Sequence, residues 1–185
     1  MANSDQVWNL SSIMAREREK RGVGKQFRNK QIAVPVGTEA DIKPIPFSKI
    51  NRYHVVHMGH LTAKQGVQSI ISAIPKVIKK IPEFHLDIIG GGENEDFLKN
   101  LAEKLKVTKF VTFYGFIKSH KEVEKKLSHC AFGIAPYVDN ENNFVRYTDP
   151  GKVKAYLAAG VPVVITKVPE VWKELVKMKC GLAVR

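Results

Sequence analysis

The sequence predicts an α/β fold, a doubly wound Rossmann-like parallel sheet of about six strands. Three observations carry this reading. Short runs rich in Val, Ile and aromatic residues alternate with stretches whose apolar positions recur every three or four residues. Glycine or proline closes the runs, at Gly59, Gly90 to Gly92, Gly115 and Pro136. The connections are long enough for helical crossovers, which join parallel strands in the right-handed sense and cover both faces of a sheet.

Residues 1 to 29 stand outside that pattern. Val7 to Leu10 reads as a strand, Ser11 or Ser12 as a cap, and IMAREREKRGV as a helix running to Gly22 with charges of both signs. Residues 30 to 52 follow as a joint, an extended apolar piece and then a Pro-containing link ending near Pro46.

From Tyr53 the alternation is regular. YHVVHMGH is a strand, and the next helix aligns Val67, Ile70, Ile71, Ile74, Ile78 and Ile81, with Pro75 expected to kink it. HLDIIGGG is a strand, followed by a helix burying Phe97, Leu98, Leu101, Ala102 and Leu105. VTFYG is a strand; Ser119 and Glu122 form a capping box, and Val123 and Leu127 face inward. AFGIAPY, PVVIT and GLAVR are the remaining strands, separated by a helix ending at Gly160 and by VPEVWKELVKM. Trp8 and Trp172 read as packing residues, and Tyr137 with Asp139 to Asn143 as a polar loop. In such sheets ligands gather at the carboxyl ends of the strands, where the glycines fall.

Composition narrows the function classes. With 185 residues, 44% apolar and 26% charged, the chain has the make-up of a globular domain. No apolar run reaches the roughly 18 residues of a membrane span, and no signal-peptide core opens the chain, so a cytoplasmic location is expected. Cys130 and Cys180 lack CxxC or His partners at ligand spacing, which predicts reduced thiols, no metal and no cofactor. The net charge of +12 is spread over helix faces without interleaved aromatics. That pattern argues against nucleic acid and leaves a solvated surface or a weak, peripheral pull toward an anionic membrane face.

The most informative stretch is VRYTDPGKVKAYLAAGVPVVIT. Asp149 is expected to cap the helix, Pro150 to occupy its first position and Gly160 to end it. Lys152 then falls in the first turn, where the helix dipole disfavours a cation. Two readings stay open: an anion such as phosphate offsets the charge at amides bared by Gly151, or the lysine is solvated. Of the histidines, His60 closes a strand at the ligand edge, whereas His54, His57, His85, His120 and His129 show no partner pattern. Gly90 to Gly92 lack the third glycine of a dinucleotide fingerprint, since Glu95 stands there.

Taken in order, MGHLTAKQGVQSIISAI, LDIIGGGENEDFLKNLA, VTFYGFI and DPGKVKAYLAAGVPVVIT resemble the C-terminal, donor-binding domain of GT-B fold glycosyltransferases, the retaining family four or group 1. The resemblance covers about Gln31 to the end. It implies that residues 53–185 are one half of a GT-B architecture, without the C-terminal helices usual to it, and that residues 1 to 29 are the last strand and helix of an acceptor domain. It also implies a transferase of hexosyl type that holds a nucleotide-sugar by its diphosphate. The acceptor would be a glycan or lipid-linked sugar held by the other domain, so this stretch alone would be inactive. The donor site implied comprises Gly59, His60, Lys64, Gly91, Phe116, Ile117, Tyr147, Asp149, Gly151 and Lys152; no catalytic residue is assigned.

The sequence departs from that family at telling positions. His60 stands for the usual Arg after the glycine, Gln65 for the Lys before Gly66, with Lys64 one place off, and Tyr147 and Ala155 for two glutamates that contact sugar and ribose. The rival expectation is therefore a non-catalytic or regulatory module on the same fold. A nicotinamide-dependent oxidoreductase lacks its glycine fingerprint on the first strand and its acid after the second.

Overall fold

In a computed structural model, residues 3–22, 24–38, 45–140 and 143–185 are described. The chain opens with β1 (Val7–Asn9), α1 (Ser12–Lys20) and β2 (Gln31–Ala33), and β1 and β2 pair in parallel. Ser11 caps α1, its Oγ accepting from the Met14 amide at 3.0 Å. The apolar piece that the sequence suggests as linker is thus a strand partner of β1, and Trp8 is 67% exposed rather than packed. Positions 39–44 of the expected joint lie outside the described residues.

The main body follows: β3 (Asn51–Met58), α2 (Val67–Val77), β4 (His85–Ile89), α3 (Glu95–Lys104), β5 (Val111–Gly115), α4 (His120–Ser128), β6 (Cys130–Ala135), α5 (Gly151–Ala158), β7 (Val163–Thr166), α6 (Trp172–Lys177) and β8 (Gly181–Val184). The six strands β3 to β8 form one parallel sheet in the order β5-β4-β3-β6-β7-β8. The chain winds outward from β3 to β5, returns to β6 beside β3 and winds outward again. β3 and β6 therefore flank the switch point where such folds open a crevice.

Each face of the sheet has its own core. Val55, Leu86 and Ile88 meet Ile70, Ile71 and Ile74 of α2 and Leu98 and Ala102 of α3 on one side. Val56, Ile89, Ala135, Val163 and Ile165 meet Leu127, Val153, Tyr156 and Leu175 of α4, α5 and α6 on the other. The strands are short and apolar because both faces are covered. Three expectations about the helices fail. α2 ends at Val77, so Ile81 lies beyond it and is 41% exposed. Pro75 sits in the last turn of α2, where it ends the helix sooner than it could kink it. Phe97, one step off the inner stripe of α3, is 54% exposed.

Tyr156 locks the switch point. Its ring occupies the space a side chain at Gly133 would need, since a Cβ there would approach the ring to 2.5 Å. Its hydroxyl accepts from the Met58 amide at 2.8 Å, satisfying the last N–H of β3 where the β3–β6 ladder has parted.

Candidate functional site

At the carboxyl end of the sheet a cavity of about 480 Å³ opens between the tips of β3 and β4 and the starts of α4 and α5. Gly59, His60, Gly90 and Gly91 form its floor, and Phe116 and Ile117 after β5 form one wall. The close approach of two strand ends explains the glycines. Gly90 has φ +124°, and a Cβ there would lie 2.0 Å from the Gly59 carbonyl oxygen. The remaining walls are two helix faces. His120, Val123, Glu124 and Leu127 follow the helical spacing down α4, and Gly151, Ala155 and Ala158 do so down α5.

Of the sequence-predicted donor residues, Gly59, His60, Gly91, Phe116, Ile117 and Gly151 line this cavity. Four do not. Lys64 holds its ammonium 5.9 Å from the Phe144 ring centroid, beyond the cavity wall. Tyr147 turns toward α1: its carbonyl accepts from Ser11 Oγ and its ring lies 5.9 Å from the Arg21 guanidinium. Asp149 does not cap α5. The helix begins at Gly151 with Pro150 in the cap position and no side-chain cap. The Asp149 carboxylate is taken by the Lys154 ammonium and by the Val36 amide at 3.0 Å, because a cation and a free N–H within reach outcompete the neutral amides of the helix start.

Lys152 adopts neither of the arrangements left open by the sequence. Its side chain is turned inward beneath Gly59, so close that a Cβ on Gly59 would lie 2.9 Å from Nζ. Nζ donates to Gln65 Oε1 at 2.6 Å, stands 3.5 Å from His57 Nε2 and lies 5.2 Å from the Tyr137 ring centroid. His57 Nδ1 lies 3.2 Å from the Ile134 carbonyl and donates to it, which leaves Nε2 as a lone pair facing the ammonium. Among the described residues no carboxylate pairs with this charge, and burial lowers the Lys152 pKa to about 7. Burial likewise holds His57 well below the usual imidazole range. The site thus stores an under-neutralised cation one layer behind the cavity floor.

The loop before α5 is less open than its composition suggests. Tyr137 and Asn143 are buried, and Asn143 Nδ2 donates to the Lys64 and Val138 carbonyls. Residues 141–142 of that loop lie outside the described set. Sequence reasoning also misses Gln65, His57, Tyr156, His120 and Glu124. The α4 pair had a signal, because His120 and Glu124 share the inward face already marked by Val123 and Leu127.

A second cavity of about 520 Å³ lies on the α4 side of the sheet, toward the amino ends of the strands. Here His54 Nδ1 donates to Asp87 Oδ2 at 2.8 Å, and the His54 and His85 rings stack with centroids 4.8 Å apart. Cys130 Sγ stands 3.9 Å from the same carboxylate, whose Oδ1 is buried without a hydrogen-bond partner. Burial and the neighbouring Asp87 push the Cys130 thiol up to about 12, so it is unreactive. Among the described residues no group of three or more His, Cys, Asp or Glu is arranged to hold a metal, and no helix is long and apolar enough to cross a membrane.

Comparison with known proteins gives this geometry a context. The profile of the family described as glycosyl transferases group 1 matches residues 52–185. An uncharacterized glycosyltransferase of Haemophilus influenzae is 28% identical over 97 residues, 52% of this chain and 28% of the relative. MJ1607 of Methanocaldococcus jannaschii, also an uncharacterized glycosyltransferase, is 30% identical over 115 residues, 62% of this chain and 27% of the relative. The chain therefore matches little more than a quarter of the length of these relatives. Among solved structures, WaaG, a glycosyltransferase involved in lipopolysaccharide biosynthesis, superposes with a TM-score of 0.72 at 19% identity, over 97% of this chain and 49% of that one. Anabaena HepE in complex with UDP and glucose superposes with a TM-score of 0.68 at 17% identity, over 98% of this chain and 49% of that one. At such identities the structural likeness is one of fold, a Rossmann-like half of the GT-B architecture. Carried by the profile over most of its length, the chain belongs to the group 1 glycosyltransferases.

Proposed function

We propose that residues 53–185 form the donor-binding half of a glycosyltransferase and hold a nucleotide-sugar by its diphosphate, for transfer to an acceptor bound outside this segment. One observation carries the reading: strand-end glycines, the start of α5 and a buried lysine converge on the same end of a cavity sized for a nucleotide. Amides at Gly151 and Lys152 project from a helix start without carbonyl partners of their own turn, which favours phosphate oxygens. The Lys152 ammonium beneath Gly59 adds positive potential in a poorly screened setting. When a sugar leaves a diphosphate, negative charge grows on the departing oxygens, and groups fixed in this way stabilise that charge without reorganising. Phe116 and Ile117 supply apolar surface for a base. The solved relative HepE was crystallised with UDP and glucose, which makes uridine diphosphate sugars the first donors to test. Residues 1–29 then belong to the acceptor half, and the acceptor is a glycan or lipid-linked sugar. The excess of lysine and arginine suits work beside an anionic membrane surface in the cytoplasm.

The test is an NMR titration of the chain with uridine, guanosine and adenosine diphosphate sugars. Binding in the micromolar to millimolar range should shift the Gly151 and Lys152 amides; silence there with all three donors refutes the reading. A second reading, a non-catalytic or regulatory module, is favoured by Ala155 and Tyr147 standing where the family carries glutamates, with Tyr147 turned away from the cavity. Under that reading Ala155→Glu restores no donor affinity; under the first it strengthens binding.

A further inference from the structure

We propose that the end of the main sheet opposite the donor cavity is a docking face for an anionic lipid surface; this sharpens the membrane reading above by naming the face that makes contact, and it holds whichever donor binds. Because β3 to β8 are all parallel, every connection leading into one of these strands emerges at the same edge of the sheet. Those connections are strongly basic. Lys49 and Arg52 lie at the entry to β3, Lys79 and Lys80 before β4, and Lys106 and Lys109 before β5, all of them exposed. Lys179 repeats the pattern before β8. Among the described residues Glu83 is the one acid in these connections, and no carboxylate forms an ion pair with any of the cations just named. The connections that leave the strands are mixed in sign, with Glu93, Asp139, Asp149 and Glu170 standing among their cations.

Helix dipoles do not account for this charge. They favour cations in the last turn of a helix, whereas α2 ends at Val77, α3 at Lys104 and α6 at Lys177, short of the lysines in question. Two further features select a lipid surface over other polyanions. Phe47, Tyr53, Ile81 and Met178 stand exposed among the cations, with the Arg52 guanidinium 5.0 Å from the Phe47 ring centroid. Aromatic and apolar side chains beside lysines are the make-up of a protein face that settles into a headgroup layer. All the cations named except Arg52 are lysines, point charges that suit a diffuse layer of headgroups better than the paired contacts by which arginine reads nucleic acid. Docked by this end, the sheet stands on the lipid with its cavity open to donors in solution. β3 is eight residues long and rises about 3.3 Å per residue, so the cavity mouth lies roughly 25 Å from the surface. That distance suits a glycan acceptor reaching up from the surface better than a sugar held among the headgroups.

The experiment is co-sedimentation of the chain with vesicles of phosphatidylcholine alone or in equal parts with phosphatidylglycerol. At low salt the chain should bind the anionic vesicles at least about tenfold more tightly, and the difference should shrink as salt is raised. A face variant carrying Lys49→Gln, Lys79→Gln, Lys80→Gln and Lys109→Gln should lose more than about 100-fold, since each cation at such a surface contributes about fivefold. A control variant of the same net charge, with Lys99→Gln, Lys121→Gln, Lys167→Gln and Lys173→Gln, should stay within about fivefold of the parent. Equal weakening in both variants, or none in the face variant, overturns the assignment of this face while leaving the membrane reading in place. Absence of binding to the anionic vesicles overturns both. Displacement of the chain from the vesicles by polyuridylate at equal phosphate concentration overturns the choice of lipid in favour of nucleic acid. Calorimetric titration with UDP should give the same affinity with and without vesicles; weakening by vesicles would place the contact at the cavity end and overturn the orientation, whereas silence with UDP in both bears on the donor reading alone.

Discussion

Two cavities of similar volume, about 480 Å³ and 520 Å³, flank the same sheet and are built in opposite ways. The upper one owes its space to side chains that are missing: Gly59, Gly90, Gly91, Gly151, Ala155 and Ala158 leave backbone and room. The lower one is lined with long polar side chains, several of them engaged with neighbours: His54 bonds Asp87 and stacks on His85, and Lys126 lies 3.9 Å over the Tyr114 ring. Volume alone therefore does not mark a binding site. What distinguishes the upper cavity, among the described residues, is backbone laid bare at strand ends and at a helix start, with a cation that has no carboxylate partner behind it.

Substitutions put this contrast to the test. The largest effect is expected at Gly90. Gly90→Val drives a branched side chain into the Gly59 carbonyl from a backbone conformation that valine avoids, and should cost more than about 3 kcal/mol in denaturant unfolding. Next is Lys152→Met, which removes a buried ammonium and should stabilise the ligand-free protein by about 2 kcal/mol at pH 6. The pH dependence follows from its lowered pKa of about 7. Above pH 7 the folded lysine gives up its proton while the unfolded one keeps it, so the parent gains stability as pH rises and the advantage of the substituted protein shrinks. Nucleotide affinity should fall about tenfold in the same variant, the trade of stability against function that a strained charge implies.

Smaller changes belong to the lower cavity. Asp87→Asn removes the charge from the His54 bond and should cost about 1–2 kcal/mol, yet leave nucleotide affinity within twofold because no donor group reaches it. The least change is expected at His85, whose pKa is lowered chiefly by burial. The unfolded imidazole takes up a proton near pH 6.5 before the folded one does, so stability falls as pH drops through that value. His85→Gln should flatten the decline, with a midpoint shift at pH 5 of no more than about 2 °C on thermal unfolding.

Much of the architecture was legible because it is written in local pattern. Apolar runs, the first four closed by glycine or proline, mark β3 to β8, and spacing in threes and fours marks the helices between them. The strand order and the facing residues were not, since nothing local to His54 reveals His85 and Asp87 on the neighbouring strand. The same limit governs the site. Gly59, Gly91 and Gly151 are recognisable by their places at element ends, whereas the fates of Asp149 and Lys152 depend on Val36, Lys154 and Gln65, residues remote in sequence or in direction. Trp8 and Phe97 were misjudged for a related reason. A large apolar residue invites burial, but exposure depends on whether another element passes over it.

The hold that Asp149 keeps on the Val36 amide has a thermodynamic corollary. The carboxylate stands just ahead of the α5 start, and the amide just beyond the end of β2. If filling the cavity steadies one of these, energy conservation around the binding cycle requires that the other be steadied too. In that case deuterium uptake at the Val36 amide, far from Gly151 in sequence though beside it in space, gauges occupancy without a substitution in the cavity.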